Sequence, residues 1–224
     1  MKPILKPLIE KTWIDYKQQA FTLKLFDHDS LIIEHEHACT SNSFALRLCG
    51  DKHNGTYVEI GSSHWLENNS TYMLETEFGW TGVGIEIEKH YVDEYNKKRS
   101  NPCIHGDATN FNWDKYFEEN NFPKQIDHLS IDTDVENLTS LMNMPLSRYR
   151  FSTIVIENKQ GNNQALDLDE KIKKTQQEIL ARYNYTLIGS GYTDDFWIDN
   201  TYLDYQGQQL DPLQAAFWYG KIHN

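Results

Sequence analysis

Residues 55–63, Gly-Thr-Tyr-Val-Glu-Ile-Gly-Ser-Ser, set an acidic side chain, a glycine and two small hydroxyl residues at the end of a short apolar run. Such a run is a buried strand, and a glycine closing it lets a ligand approach the backbone. A second run, residues 81–86, closes on Glu86. A carboxylate at that point of a parallel sheet can accept hydrogen bonds from ribose hydroxyls. Glu59 and Glu86 together therefore point to a nucleoside-containing cofactor at the carboxyl ends of parallel strands. Strand-turn-helix units with one glycine also occur in many α/β proteins, so the pair alone does not decide the matter.

A different chemistry is carried by Glu34-His35-Glu36-His37-Ala38-Cys39. On a strand, His35, His37 and Cys39 share one face, and tetrahedral zinc accepts such ligands. No second ligand pair at zinc spacing follows, and a surface tract accounts for the segment more simply.

The elements that must position these groups follow from the apolar pattern. Buried runs at about 56–60, 82–86, 102–105, 126–132 and 151–157 alternate with helical stretches. Those stretches are a short helix near 44–48, a helix from about 70 that Gly79 ends, and a polar helix near 89–99. A further helix carries Leu138, Leu141 and Met142, and a long charged helix spans about 167–182. The segment 185–198, with Gly189-Ser190-Gly191 between two apolar runs, reads as a hairpin. The pattern predicts an α/β fold: a doubly wound, mostly parallel seven-stranded sheet with an antiparallel C-terminal hairpin.

Length and composition bound the rest. At 224 residues the chain is long enough for one large core. Aromatic residues make up 13%, which argues against disorder. The net charge of −12 disfavours nucleic acid or an anionic membrane as main partner, since both reward clustered Lys and Arg. Cys39, Cys49 and Cys103 are dispersed and odd in number, the pattern of free thiols in a reducing compartment. No signal peptide or membrane span is visible, so a cytoplasmic protein is expected.

Two blocks of sequence carry a family resemblance. The first is Val58-Glu59-Ile60-Gly61-Ser62-Ser63, then Asn69-Ser70-Thr71-Tyr72-Met73-Leu74-Glu75, then Phe78-Gly79-Trp80-Thr81-Gly82-Val83-Gly84-Ile85-Glu86. The second is Asp127-His128-Leu129-Ser130-Ile131-Asp132-Thr133, followed by Tyr149-Arg150-Phe151 and Ile156-Glu157-Asn158. Together they resemble the FkbM family of S-adenosylmethionine-dependent methyltransferases over roughly residues 40–200. His64-Trp65 stands where that family has Asp-Gly, and Asp134-Val135 where it has Glu-Gly. Asn137 replaces a further Glu, and Thr40-Ser41-Asn42 occupies the place of an N-terminal Gly-Gln-Asp.

The resemblance implies a class I, Rossmann-like methyltransferase with strand order 3-2-1-4-5-7-6. The expected division is an N-terminal helical or loop extension (1–50) ahead of the sheet, the Rossmann-like methyltransferase domain (51–205) and a C-terminal tail packing on it (206–224). It places S-adenosylmethionine against Glu59, Gly61, Ser62, Ser63, Ser70, Thr71, Glu86, Ile87, Asp107 and Ala108. Glu59 would help place the methionine amino group, and Asp107 would meet the adenine. Methyl transfer to a hydroxyl needs a proton acceptor. Asp132 is the first candidate, with Asp134 beside it. Alternatively Asp132, Asp134 and Glu157 would hold a divalent cation such as magnesium. His64 is the other candidate base. Each of these residues also has an ordinary structural role available, as a turn acceptor or helix cap. The expected acceptor is a sugar or other small-molecule or glycan hydroxyl. The alternative is a cofactor-binding or interaction module without turnover, and an accessory zinc protein built on the His35/His37 tract stands third.

Overall fold

The computed structural model describes residues 39–67, 69–157, 166–190 and 194–205. His35, His37 and the 206–224 tail lie outside them. The described chain builds a sheet of seven strands in the order β3-β2-β1-β4-β5-β7-β6. These are β1 (Thr56–Ile60), β2 (Thr81–Glu86), β3 (Cys103–His105), β4 (Gln125–Ile131), β5 (Arg150–Glu157), β6 (Tyr185–Ser190) and β7 (Asp194–Asp199). The first five run parallel, and β7 inserts antiparallel between β5 and β6. The doubly wound sheet, its order and its antiparallel end all match the expectation.

Period-two alternation sorts side chains onto the two faces of β1. Val58 and Ile60 enter the main core with Val83, Ile85, Leu129, Ile131 and Ile154. Tyr57 packs on the other face with Met73, Leu74 and Trp80. Glu59, two residues on, shares the Tyr57 face. Both faces are covered, which is why β4 and β5 are buried along nearly their whole length.

The helices are α1 (Thr40–Leu48), α2 (Tyr72–Phe78), α3 (Lys89–Lys98), α4 (Trp113–Glu119), α5 (Asn137–Asn143), α6 (Leu166–Arg182) and α7 (Asn200–Tyr205). A 3₁₀ turn, Asp134–Glu136, precedes α5. α1 lies on the sheet, with Phe44, Ala45 and Leu46 fully buried and Phe44 edge-on to Phe196. Gly79 ends α2 in the left-handed conformation, and the amides of Gly79 and Trp80 return to the Glu75 and Leu74 carbonyls.

Three details differ from the sequence reading. Helix α4 was not anticipated, although Asn112 caps it by accepting from the Lys115 amide and Trp113, Tyr116 and Phe117 follow at helical spacing. Met142 faces solvent rather than the core, while Leu141 is buried. Gly189 and Ser190 belong to β6 rather than to a turn, with a bulge between Leu187 and Gly189.

Candidate functional site

The carboxyl ends of β1 and β4 open into a cleft of about 250 Å³ lined by Glu59, Gly61, Ser62, Ser63, His64, Glu67, Ser70 and Asp132. Seven of these eight had been singled out from the sequence; Glu67 had not. The floor is the β1 turn. Gly61 has φ of +80°, and a Cβ there would overlap the Asp132 carbonyl oxygen. Only glycine fits, because the Asp132 amide donates to the Ile60 carbonyl at 2.8 Å and holds the two strand ends together. Ser63 also has positive φ, at 46°.

The amides of this turn are already engaged. Gly61 and Ser62 both donate to the Ile85 carbonyl, at 3.0 and 3.2 Å. The Ser63 amide donates to Glu86 Oε2 at 2.9 Å, and the Glu88 amide to Glu86 Oε1 at 2.8 Å. Glu86 is thus pinned at the end of β2, and each carboxylate oxygen keeps a further lone pair for a ligand hydroxyl.

Glu59 is 2% exposed. Its Oε2 accepts from Asn69 Nδ2 at 3.1 Å and from the Thr71 hydroxyl at 3.0 Å. Burial raises its pKa to about 7, against the opposing charge of Arg99 and the bonds from Thr71 and Asn69. Asn69 and Arg99 are parts of the site that sequence reasoning did not assign.

The imidazole of His64 folds back on its own loop. Nδ1 accepts from the Glu67 amide at 2.9 Å and, more weakly, from the Leu66 amide at 3.4 Å. In that tautomer Nε2 carries the proton, so the ring offers a donor and not a base. Trp65 turns away from the cleft and packs on Val92, Tyr95 and Cys103, with the Lys98 ammonium 5.6 Å from its ring.

Asp132 is exposed on the cleft wall, whereas Asp134 stands outside it in the 3₁₀ turn with φ of +51°. Among the described residues no group of three His, Cys, Asp or Glu is placed to hold a metal ion. Asp132, Asp134 and Glu157 do not form such a group. Asn137 takes the connecting role instead: its Oδ1 accepts from the Thr133 amide at 2.6 Å, and its Nδ2 donates to the Glu157 carbonyl at 2.9 Å.

Ile87, Asp107 and Ala108 stand at the ends of β2 and β3 and do not line this cleft. Asp107 closes its own turn, accepting from the Thr109 amide and hydroxyl at 2.9 and 2.7 Å, and the Thr109 bonds lower its pKa. The Ala108 and Phe111 carbonyls accept from Asn143 Nδ2, which ties the loop to α5. Ile87 is exposed, and its carbonyl meets His105 Nε2.

No family model matches the chain, and no curated protein matches it. Solved structures do. A putative O-methyltransferase from Klebsiella pneumoniae aligns with a TM-score of 0.50 at 15% identity, covering 75% of this chain and 84% of that one. A cofactor-bound protein from MTB aligns with the same score and identity, covering 75% of this chain and 83% of that one. At such identity the likeness establishes the fold, which is that of the class I, Rossmann-like methyltransferases.

Proposed function

We propose that this chain is an S-adenosylmethionine-dependent methyltransferase of the FkbM type, acting on the hydroxyl of a small molecule or glycan. The observation that carries the reading is the electrostatic character of the β1 turn. A dinucleotide or phosphate site needs spare backbone amides at such a turn. Here the amides of Gly61, Ser62 and Ser63 are consumed by β2, and the cleft wall is acidic through Glu59, Glu67 and Asp132. That surface repels phosphate and suits a cationic nucleoside bearing an ammonium and a sulfonium.

The residues present fit that group. Glu59 would meet the ammonium, Ser62, Ser63 and Ser70 would border the amino-acid part, and Glu86 would accept from the ribose hydroxyls. Thr71 acts beneath them through its bond to Glu59. Ile87, Asp107 and Ala108 remain proposed for the adenine end. When bound, S-adenosylmethionine would supply a sulfonium methyl whose carbon a hydroxyl oxygen attacks as the C–S bond breaks and S-adenosylhomocysteine leaves. The chain's own contribution is alignment of the hydroxyl and acceptance of its proton, which we assign to the Asp132 carboxylate. A cytoplasmic setting accompanies this reading, supported by three free thiols. No described helix is long and apolar enough to cross a membrane.

Glu86→Ala is expected to weaken cofactor binding by about 1–3 kcal/mol, the scale of a charge-assisted hydrogen bond. Calorimetry checks it, and unchanged affinity would remove Glu86 from the site. Asp132→Asn is expected to lower kcat by roughly 10²–10⁴-fold while cofactor affinity stays near that of the parent. A variant that turns over at the parental rate would take the base role away from Asp132.

A module without turnover is the second reading. It is favoured by Val135, 83% exposed where the family has Gly, and by the engaged Nδ1 of His64. Incubation with S-adenosylmethionine and a panel of sugars and small alcohols separates the two. The enzyme releases S-adenosylhomocysteine in step with methylated acceptor, whereas the module binds cofactor and releases none.

A further inference from the structure

α3 ends at Lys98, and Arg99 turns back into the protein with extended backbone, φ −109° and ψ 153°. Its guanidinium is fully buried against Glu75, with Nη2 2.7 Å and Nε 2.8 Å from Glu75 Oε2. A buried cation has to be paired and hydrogen-bonded, and Glu75 satisfies the charge. The remaining donors do something more. Nη1 donates to Asn69 Oδ1 at 3.0 Å and to the Trp65 carbonyl at 3.1 Å, and Nη2 to the Thr71 hydroxyl oxygen at 3.2 Å. The faces of Tyr72 and Tyr95 flank the guanidinium at 5.3 and 4.6 Å.

Arg99 can only donate. It therefore reinforces the acceptor side of Asn69, to which the Thr71 amide also donates at 3.0 Å, and claims a lone pair of Thr71. The amide NH₂ of Asn69, which also meets the Ser62 and His64 carbonyls at 3.1 and 3.3 Å, and the O–H of Thr71 then face Glu59, where both donate to Oε2. Had either group been turned the other way, it would present an acceptor to Glu59 and favour the protonated acid. The same arginine holds Trp65, Asn69 and Thr71, which flank Glu67 and Ser70 on the cleft.

We propose that Arg99 is a positioning residue for the cofactor site: by orienting Asn69 and Thr71 as donors it holds Glu59 as a carboxylate ready for the cofactor's ammonium. The inference rests on the cofactor reading above. It has a consequence in pH, because Glu59 titrates near 7. The titratable groups close enough to interact with Glu59 are Tyr57 on its own strand, Tyr95 on α3, Cys103 on β3 and Cys39 ahead of α1. The cleft adds His64, Glu67 and Asp132, and Glu86 closes β2. Arg99 is the permanent cation in this set.

The test is titration with S-adenosylhomocysteine from about pH 5.5 to about pH 8.5, the span across which Glu59 changes charge. In the parent, affinity should fall as pH drops through about 7. In Arg99→Met the midpoint should move upward by about one unit or more, with Arg99→Lys between the two. Thr71→Val, which keeps the side-chain shape and removes the hydroxyl, should move it in the same direction by less. It decides the matter if Arg99→Met does not fold. Glu59→Gln should flatten the profile. A role confined to packing would lower affinity equally at every pH and leave the midpoint in place, and that result overturns the proposal. So does a midpoint that survives in Glu59→Gln. A parent that binds nothing at any pH defeats the cofactor reading itself, a different result from an unmoved midpoint.

Discussion

Gly61→Ala is expected to destabilise the protein by about 3 kcal/mol or more and to abolish cofactor binding in whatever fraction remains folded. Two costs combine. At φ of +80° an L side chain is strained, at about 1–2 kcal/mol. The new Cβ would also overlap the Asp132 carbonyl oxygen, and relief requires the ends of β1 and β4 to part. That parting breaks the bond from the Asp132 amide to the Ile60 carbonyl and shifts the wall of the cleft. Chemical denaturation gives the first quantity and calorimetry with S-adenosylhomocysteine the second. A variant as stable as its parent would mean that the turn does not hold the conformation described.

Glu59→Gln is expected to separate stability from function. Between the unfolded value of 4.5 and the folded value of about 7, the folded protein holds a proton that the unfolded chain releases. The contribution of Glu59 to stability is therefore present below pH 4.5 and is lost as pH rises toward 7. The glutamine variant removes that slope, since a neutral amide oxygen still accepts from Asn69 and Thr71. At pH 8 its stability should match or exceed that of the parent. Cofactor affinity should nonetheless fall by about 10–100-fold, the loss of a hydrogen bond between charged partners. Thermal melts across pH and calorimetry at pH 8 check both halves. A variant with parental affinity would show that Glu59 is only an acceptor for its own loop.

The sheet was legible because short runs of apolar and β-branched residues, such as Val58 and Ile60, Val83 and Ile85, and Ile154, Val155 and Ile156, recur between helical stretches. The cleft was legible for a local reason. Glu59, Gly61, Ser62, Ser63 and His64 follow one another around a single strand end, and Asp132 ends the adjacent strand. Arg99 was not. In sequence it is the last of the basic run Lys97-Lys98-Arg99, which reads as the solvated end of a helix. Its role appears only when the chain turns inward after Lys98 and meets residues 65–71 from a distant part of the sequence. Helix α4 had a signal that was passed over, the Asn112 cap before Trp113. Asp132, Asp134 and Glu157 do not gather into a metal-holding group among the described residues. Asp134 falls in a tight turn after β4, and Asn137 joins the ends of β4 and β5. Asp107 had two roles available, and the structure shows its carboxylate engaged by Thr109.

The central claim is that the acidic cleft at the end of β1 binds a cationic nucleoside and not a phosphate-bearing one. Isothermal titration of the full chain at pH 8 with S-adenosylmethionine, and separately with NAD, tests it most directly. The account predicts one-to-one binding of S-adenosylmethionine, weakened in Glu59→Gln and Glu86→Ala, and no measurable heat from the dinucleotide. Binding of NAD with no response to S-adenosylmethionine would contradict it.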